Sequence, residues 1–153
     1  MEKEKFLAEA RELIECCDSF HLSTFNKEFN SAETRSMANI RNIEKFPKNA
    51  ELFEDGDLSN YIITALSTDK VNQLKDNPIV SIYYFCPKIR KSLTVFGTTE
   101  MIFDRLLKDK LWDEDWKYYF KLGSEDPEYS VIKFIPKVAK YFPDYHTKEM
   151  LEL

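Results

Sequence analysis

The chain has 153 residues, a length that suits one domain with a core of its own. Its formal net charge of −5 argues against the basic stripe or patch that a nucleic-acid interface needs. The longest apolar runs, "YIITAL" and "IVSIYYFC", are strand-length and too short to span a bilayer, and the N-terminus mixes charges of both signs rather than showing a secretory pattern. A cytoplasmic protein built as a single domain over 1–153 is the expectation, with no membrane segment and a short C-terminal tail.

Apolar residues at Phe6, Leu7, Ala10, Leu13, Ile14 and Cys17 recur at helical spacing and predict a first helix over 3–17. Asp18 and Ser19 interrupt it. "FHLSTF" then reads as a strand and "NKEFN" as a turn. "AETRSMANIRNI" alternates as a second strand, with Thr34, Ser36, Ala38 and Ile40 on one side and Arg35, Met37, Asn39 and Arg41 on the other. "EKFPKNAELFEDGDLSN" is a connector, with a helical turn after Pro47 and a tight turn at "DGD". "YIITAL" is a third strand, and "TDKVNQLKDN" a short helix ended by Asn77 and Pro78.

"IVSIYYFC" and "KSLTVFGTTEMIF" follow as strands, the second long enough to bend at Gly97. "DRLLKDKLWDEDWKYYF" reads as one amphipathic helix with Leu107, Leu111 and Trp112 on a stripe and Gly123 as its C-cap residue. "YSVIKFIPKVAKYF" is the last strand, with Pro136 near an edge or bend. Six or so strands with few glycines, flanked by helices, predict a mainly β protein shaped as a small closed or half-closed barrel.

Chemistry-bearing residues are sparse. Cys16 and Cys17 are adjacent, too close for ordinary disulfide geometry with each other, and no CxxC spacing occurs. All three cysteines read as small buried or half-buried hydrophobes. His21 and His146 lack metal-ligand spacing, and no Ser-His-Asp or Cys-His set can be assembled.

The stretch "TALSTDK" stands out, with three hydroxyls, an acid and a lysine within Thr64–Lys70. Ser67 or Thr68 is a good helix N-cap, and Asp69 suits the positive end of the helix dipole. Lys70 does not fit that account, because a first-turn cation lies at the unfavourable end of the dipole. The same residues can instead cradle a phosphate: free N–H groups at the helix start, hydroxyls from Thr64, Ser67 and Thr68, and the charge of Lys70. The glycines of a nucleotide P-loop are missing, which excludes that class of ATPase or GTPase. Arg35 is a second cation to consider. Facing the barrel interior it needs an anionic partner; facing outward it is a solvated arginine.

Taken in order, "HLSTF…ETRSMANIRN", "YIITALSTDKVNQLKDNPIVSIYYF", "LTVFGTTEMIFD" and "LWDEDWKYYFKLGSEDPEYSVIKFIP" resemble the pyridoxamine 5'-phosphate oxidase-like proteins, and within them the general stress protein 26 branch. That resemblance implies a Greek-key-like split β-barrel that binds FMN as a homodimer with cofactor at the interface. It implies that Thr64, Ser67, Thr68 and Lys70 hold the FMN phosphate, and that Arg35, Ser36 and Met37 line phosphate and ring. It also implies that a tryptophan, Trp116 or Trp112, closes over the ring from the second subunit. The activity implied is an oxidoreductase passing hydride or electrons between a reduced nicotinamide or small organic donor and an acceptor, in a stress-related setting. Alternatives with the same fold are a non-catalytic flavin storage or sensor protein, a haem or deazaflavin binder, and a structural dimer without cofactor. Two departures matter. "NKEFNSAE" lacks the Gly and Pro often found before the arginine. "YHTKEMLEL" offers one His and no Arg, so oxidation of vitamin B6 is not expected.

Overall fold

In the computed structural model, which describes residues 1–153, seven antiparallel strands curl into one sheet. Strand β1 (Ser19–Asn26) and β2 (Ser31–Ala38) form a hairpin. Its turn is closed by Asn30 at φ 51°, a left-handed conformation that Asn tolerates better than most residues. The remaining strands are β3 (Asn60–Ala65), β4 (Ile79–Cys86), β5 (Lys91–Ile102), β6 (Tyr129–Phe142) and β7 (Glu149–Glu152). They hydrogen-bond in the order β2-β1-β4-β5-β6-β3, so β2 and β3 are the two ends of the path. The curl brings these two edges into contact without a ladder between them. The barrel is therefore split at β2 and β3.

Three helices dress the sheet: α1 (Lys3–Cys16), α2 (Asp69–Asp76) and α3 (Arg105–Leu111). The apolar stripe of α1 buries Phe6, Ala10, Leu13 and Ile14, closing one mouth of the barrel against β4 and β5. The interior is filled by Phe20 and Leu22 of β1, Ile62 of β3, Ile82 and Tyr84 of β4, Val95 of β5 and Phe134 of β6. A second core lies on the other side of β3 and β6. There Tyr61, Tyr129 and Val131 meet Ile40, Phe53, Leu111 and Phe120, with Trp112 and Trp116 packed against them.

Local chemistry explains the bends. A Cβ on Gly97 would lie 2.1 Å from the backbone oxygen of Ile135, so only glycine permits that approach. The β5–β6 register shifts at this point, with Pro136 opposite Gly97 in the irregularity, where a missing N–H costs no ladder bond. Helix α2 ends at Asn77 and Pro78 as its sequence predicts, and the turn after Pro47 is a 3-10 helix, Pro47–Leu52.

Three expectations need correction. The long helix predicted over Asp104–Phe120 breaks after Leu111. Trp112 adopts ψ 135°, and Asp113 caps a separate 3-10 turn, Glu114–Tyr118, by accepting the N–H of Asp115 at 3.0 Å. The break lets both tryptophans reach one ring, with centroids 5.1 and 6.1 Å from that of Tyr129. Gly123, at φ 77°, then opens a further short 3-10 turn rather than closing the long helix. The C-terminal tail is not loose: it supplies β7, which pairs with the second half of β6. Finally, only Cys17 is a free buried thiol; Cys16 and Cys86 form a disulfide across 70 residues of chain, because the end of α1 lies over the end of β4. No helix is long and apolar enough to cross a membrane.

Candidate functional site at the barrel split

The β1–β2 register decides which way Arg35 faces. Phe20, Leu22 and Thr24 are the buried set of β1, and their partners on β2 are Met37, Arg35 and Glu33. Residues directly opposite share a face, so Arg35 takes the inward alternative. Its anionic partner is Glu33: Nη2 donates to Glu33 Oε2 at 2.5 Å. Neutral acceptors fix the rest of the guanidinium. Nη1 donates to Thr24 Oγ1 at 2.7 Å and to the backbone oxygen of Glu33 at 3.0 Å, and Nη2 also reaches Gln73 Oε1 at 3.2 Å. The Thr24 hydroxyl in turn donates to Gln73 Oε1. Glu33 is held at its other oxygen by the Asn26 amide at 3.0 Å. That amide first, and the guanidinium second, keep its carboxyl below the ordinary carboxylate range.

Lys70 projects from the first turn of α2 toward the same cluster. Its Nζ donates to the hydroxyl of Thr64 at 3.0 Å, a neutral partner. Partial burial, and next the charge of Arg35, push the ammonium below its usual value. Thr64 Oγ1 lies 3.4 Å from Thr68 Oγ1. Thr68 occupies the N-cap position of α2, but its hydroxyl donates back to the Ala65 carbonyl at 2.8 Å and makes no cap bond. Ser67 is drawn elsewhere: its N–H and hydroxyl both donate to Glu128 Oε2, at 3.0 and 2.8 Å. Neither hydroxyl therefore supports the simple helix-cap account of "STDK", and the lysine does not pair with Asp69.

Beside this cluster a cavity of about 480 Å³ opens at the split. One wall is Ser36, Met37 and Ala38 of β2; a second is Ile63, Thr64 and Ala65 of β3; Trp116, Tyr119 and Phe120 form the third. Thr64 belongs to both features, lining the cavity and receiving Lys70. Of the residues singled out in the sequence, Ser36, Met37, Thr64 and Trp116 meet in this cavity. Thr68 and Lys70 reach it through the Thr64 hydroxyl. Arg35 lies behind them, close enough to Lys70 for its charge to act on the ammonium but bonded to no lining residue. Trp112 packs on Tyr129 instead of lining it. A larger groove, about 680 Å³, runs between α1 and Asp55–Gly56. Its carboxylates are in part already paired with Arg11, at Glu15 and Asp55, and it gathers no comparable chemistry.

Sequence reasoning missed Thr24, Glu33, Gln73, Tyr119 and Phe120. Two of these left a signal. Glu33 stands two residues before Arg35, hence on the same strand face, and Gln73 stands three after Lys70, hence on the same helix face. Tyr119 and Phe120 follow the helix break and left none.

An antiparallel sheet curled on itself and open between its edge strands, with an aromatic cavity and a cationic rim at the opening, is a split β-barrel. Residues 21–151 match the family described as pyridoxamine 5'-phosphate oxidase like, and the chain belongs to that family. Solved structures agree on the fold. A Clostridium acetobutylicum protein related to general stress protein 26 of B. subtilis is 25% identical, with a TM-score of 0.77 over 98% of this chain and 96% of that one. General Stress Protein 26 from Bacillus anthracis str. Sterne is 23% identical, with a TM-score of 0.72 over 100% of both chains. A haem binding protein from Mycobacterium smegmatis is 14% identical, with a TM-score of 0.69 over 99% of this chain and 58% of that one. No curated protein sequence matches.

Proposed function

We propose that the chain binds FMN at the split and acts as an FMN-dependent oxidoreductase. The observation that carries this reading is the position of Thr64, which joins an under-neutralised pair of cations to an apolar cavity. Arg35 and Lys70 are near enough for one to depress the other, and only one carboxylate, Glu33, forms an ion pair with either of them; Asp69 acts on Lys70 through its charge without bonding it. Such a pair favours a ligand carrying a phosphate. The cavity beside it has the size and apolar lining of a cofactor pocket. In this reading Arg35, Lys70, Thr64 and Thr68 hold the phosphate, with Ser67 joining when Glu128 releases it. Met37, Trp116 and Phe120 flank the ring and exclude water, while Ser36 presents a hydroxyl to its polar edge. The flavin supplies reversible uptake of a hydride or electrons from a reduced nicotinamide or small organic donor; the protein positions and shields it. Of the side chains that serve haem iron as axial ligands, His, Cys or Tyr, the cavity lining holds only Tyr119, and both histidines lie outside it, so flavin is ranked ahead of haem.

The partner in this reading is a second copy of the chain. Phe25, Ile79, Tyr83, Phe85 and Phe96 are exposed together on the outer face of β1, β4 and β5, more apolar surface than a lone barrel is expected to show to water. Sedimentation should give a dimer, and Tyr83→Lys with Phe96→Lys a monomer; a monomeric wild type would remove this part of the proposal.

Titration with FMN and riboflavin tests the cofactor. FMN should bind more tightly, and Lys70→Ala should weaken FMN much more than riboflavin, because only FMN carries the phosphate. Absence of binding by either flavin overturns the reading. Equal loss of both in Lys70→Ala would assign the lysine to folding.

A further inference from the structure

We infer that Glu33 is a built-in competitor for the ligand's phosphate, occupying the donor on Arg35 that the phosphate takes, and so sets how strongly the site prefers phosphorylated over unphosphorylated ligand. This inference rests on the proposed phosphate site and adds a residue that the "TALSTDK" segment does not contain.

Three observations carry it. First, the guanidinium does not depend on Glu33's carboxylate for its place. Thr24 Oγ1, the Glu33 backbone oxygen and Gln73 Oε1 hold it from β1, β2 and α2, and all three are neutral. Removing the carboxylate leaves the cation aimed as before. Second, the two partners differ in freedom. The Glu33 side chain is 43% exposed and the Arg35 side chain 19%, so the carboxylate can turn to water while the guanidinium stays. Asn26 remains on the other oxygen and gives Glu33 a resting place after the exchange. Third, the donors are free for a phosphate only with the exchange: Asp69 and Glu33 both act on Lys70 through their charge, but only Glu33 sits on a cationic donor, Arg35 Nη2. Arg35 and Lys70 supply two positive charges, and Lys70 has just a neutral hydroxyl as hydrogen-bond partner. A phosphate monoester carries nearly two negative charges at neutral pH. With Glu33 still seated on Arg35, a third negative charge would crowd the same donors.

The exchange is a swap of hydrogen bonds. Arg35 Nη2 passes from Glu33 Oε2 to a phosphate oxygen, and Oε2 passes to water. The half-exposed ion pair that breaks is weak, and the charge-assisted bonds that replace it are stronger. Unphosphorylated flavin does not call for the swap and should not sense Glu33.

The experiment measures FMN and riboflavin dissociation constants by quenching of flavin fluorescence, for wild type, Glu33→Gln, Arg35→Met and the double variant, with thermal melts to show that each folds. Glu33→Gln should tighten FMN about three- to tenfold and leave riboflavin within about twofold. The FMN gain should vanish in the Arg35→Met background, because the competition acts through that guanidinium. Glu33→Ala should repeat the gain without an amide in the way. Weaker FMN binding by Glu33→Gln and Glu33→Ala would overturn the inference and make Glu33 a positioning residue for Arg35. An unchanged FMN constant, or a gain that persists without Arg35, would overturn it as well. In each of these cases the phosphate site stands if Lys70→Ala still separates FMN from riboflavin. If neither wild type nor Glu33→Gln binds either flavin, the site and the inference fall together.

Discussion

Arg35 and Arg41 sit six residues apart, the first in β2 and the second in the turn that follows it, and the fold gives them different partners. Arg41 is 3% exposed, lies 4.1 Å over the ring of Phe53, and donates from Nη1 to the backbone oxygens of Asp57 and Ser59 at 2.7 and 2.8 Å. No carboxylate pairs with it, and burial pushes its guanidinium below its usual value. Its carbonyl bonds fix the chain where it enters β3. Arg35 is held by neutral side chains, carries one replaceable carboxylate, and has a second cation beside it. Burial of a cation therefore does not mark an anion site by itself. What distinguishes the two is the partner each has: Arg41 Nη1 is committed to two carbonyls that only folding supplies, with Nε and Nη2 buried and unpartnered, whereas Arg35 carries a half-exposed carboxylate.

The comparison is broken if Arg41 can be removed cheaply. Arg41→Met strands two buried carbonyls and loses the stack on Phe53, so it should destabilise by about 4 kcal/mol and lower Tm by about 10 °C in a calorimetric scan. A drop of a degree or two would mean that the carbonyls find other donors. Reduction of the Cys16–Cys86 disulfide acts on the same side of the molecule. The end of α1 that it ties to β4 also receives the Asn39 amide, at the carbonyls of Ile14 and Cys17. Releasing a loop of 70 residues costs about 4 kcal/mol in the chain-entropy relation. Dithiothreitol should therefore lower Tm and leave the FMN-to-riboflavin preference unchanged. A shift in that preference would couple the two ends of the barrel and blur the contrast.

Arg35→Met should do the reverse of Arg41→Met. Thr24 and Gln73 keep their bond to each other and Asn26 keeps Glu33, so stability should change by less than about 1 kcal/mol. FMN affinity should fall about 10- to 100-fold, the worth of charge-assisted hydrogen bonds to a phosphate, with riboflavin little affected. Isothermal titration with both flavins, alongside the melt, separates the outcomes. A large loss of stability would make Arg35 a second Arg41.

Much of this fold was legible because its signals are local. Alternation gave the faces of β2, and Gly97 with Pro136 marked the irregularity between β5 and β6. Asn77–Pro78 ended α2. What was not legible depended on residues far apart in the chain. Trp112 and Trp116 have helical spacing, and only their shared packing on Tyr129 shows why the helix gives way between them. The Cys16–Cys86 bond needs α1 laid over β4, and β7 is a short, half-polar segment that needs β6 to define it. The candidate site divides the same way. Arg35 and Lys70 could be named from the sequence, but the inward face of Arg35 required the register with Phe20 and Leu22. Ser67 looked like a phosphate ligand in its own segment, and its hydroxyl is bonded to Glu128, 61 residues on.

Lys70 provides the smallest effect and the finest discrimination. Its ammonium is disfavoured first by burial and second by Arg35, so its folded-state pKa lies below the ordinary 10.5. The unfolded chain then holds that proton more firmly than the folded one. The resulting cost is complete at pH values below the folded pKa and disappears above 10.5, where the amine is neutral in both states. Lys70→Met, which keeps most of the apolar stem, should therefore raise Tm at pH 7 by about 1 °C, and the gain should shrink toward zero as pH approaches 10.5. The same variant should lose FMN. A residue that lowers stability where it stands and raises affinity for a phosphate is kept for binding, as the contrast with Arg41 requires. If Lys70→Met instead lowers Tm at pH 7, the lysine belongs with Arg41 among the groups that hold the fold, and the anion site would rest on Arg35 alone.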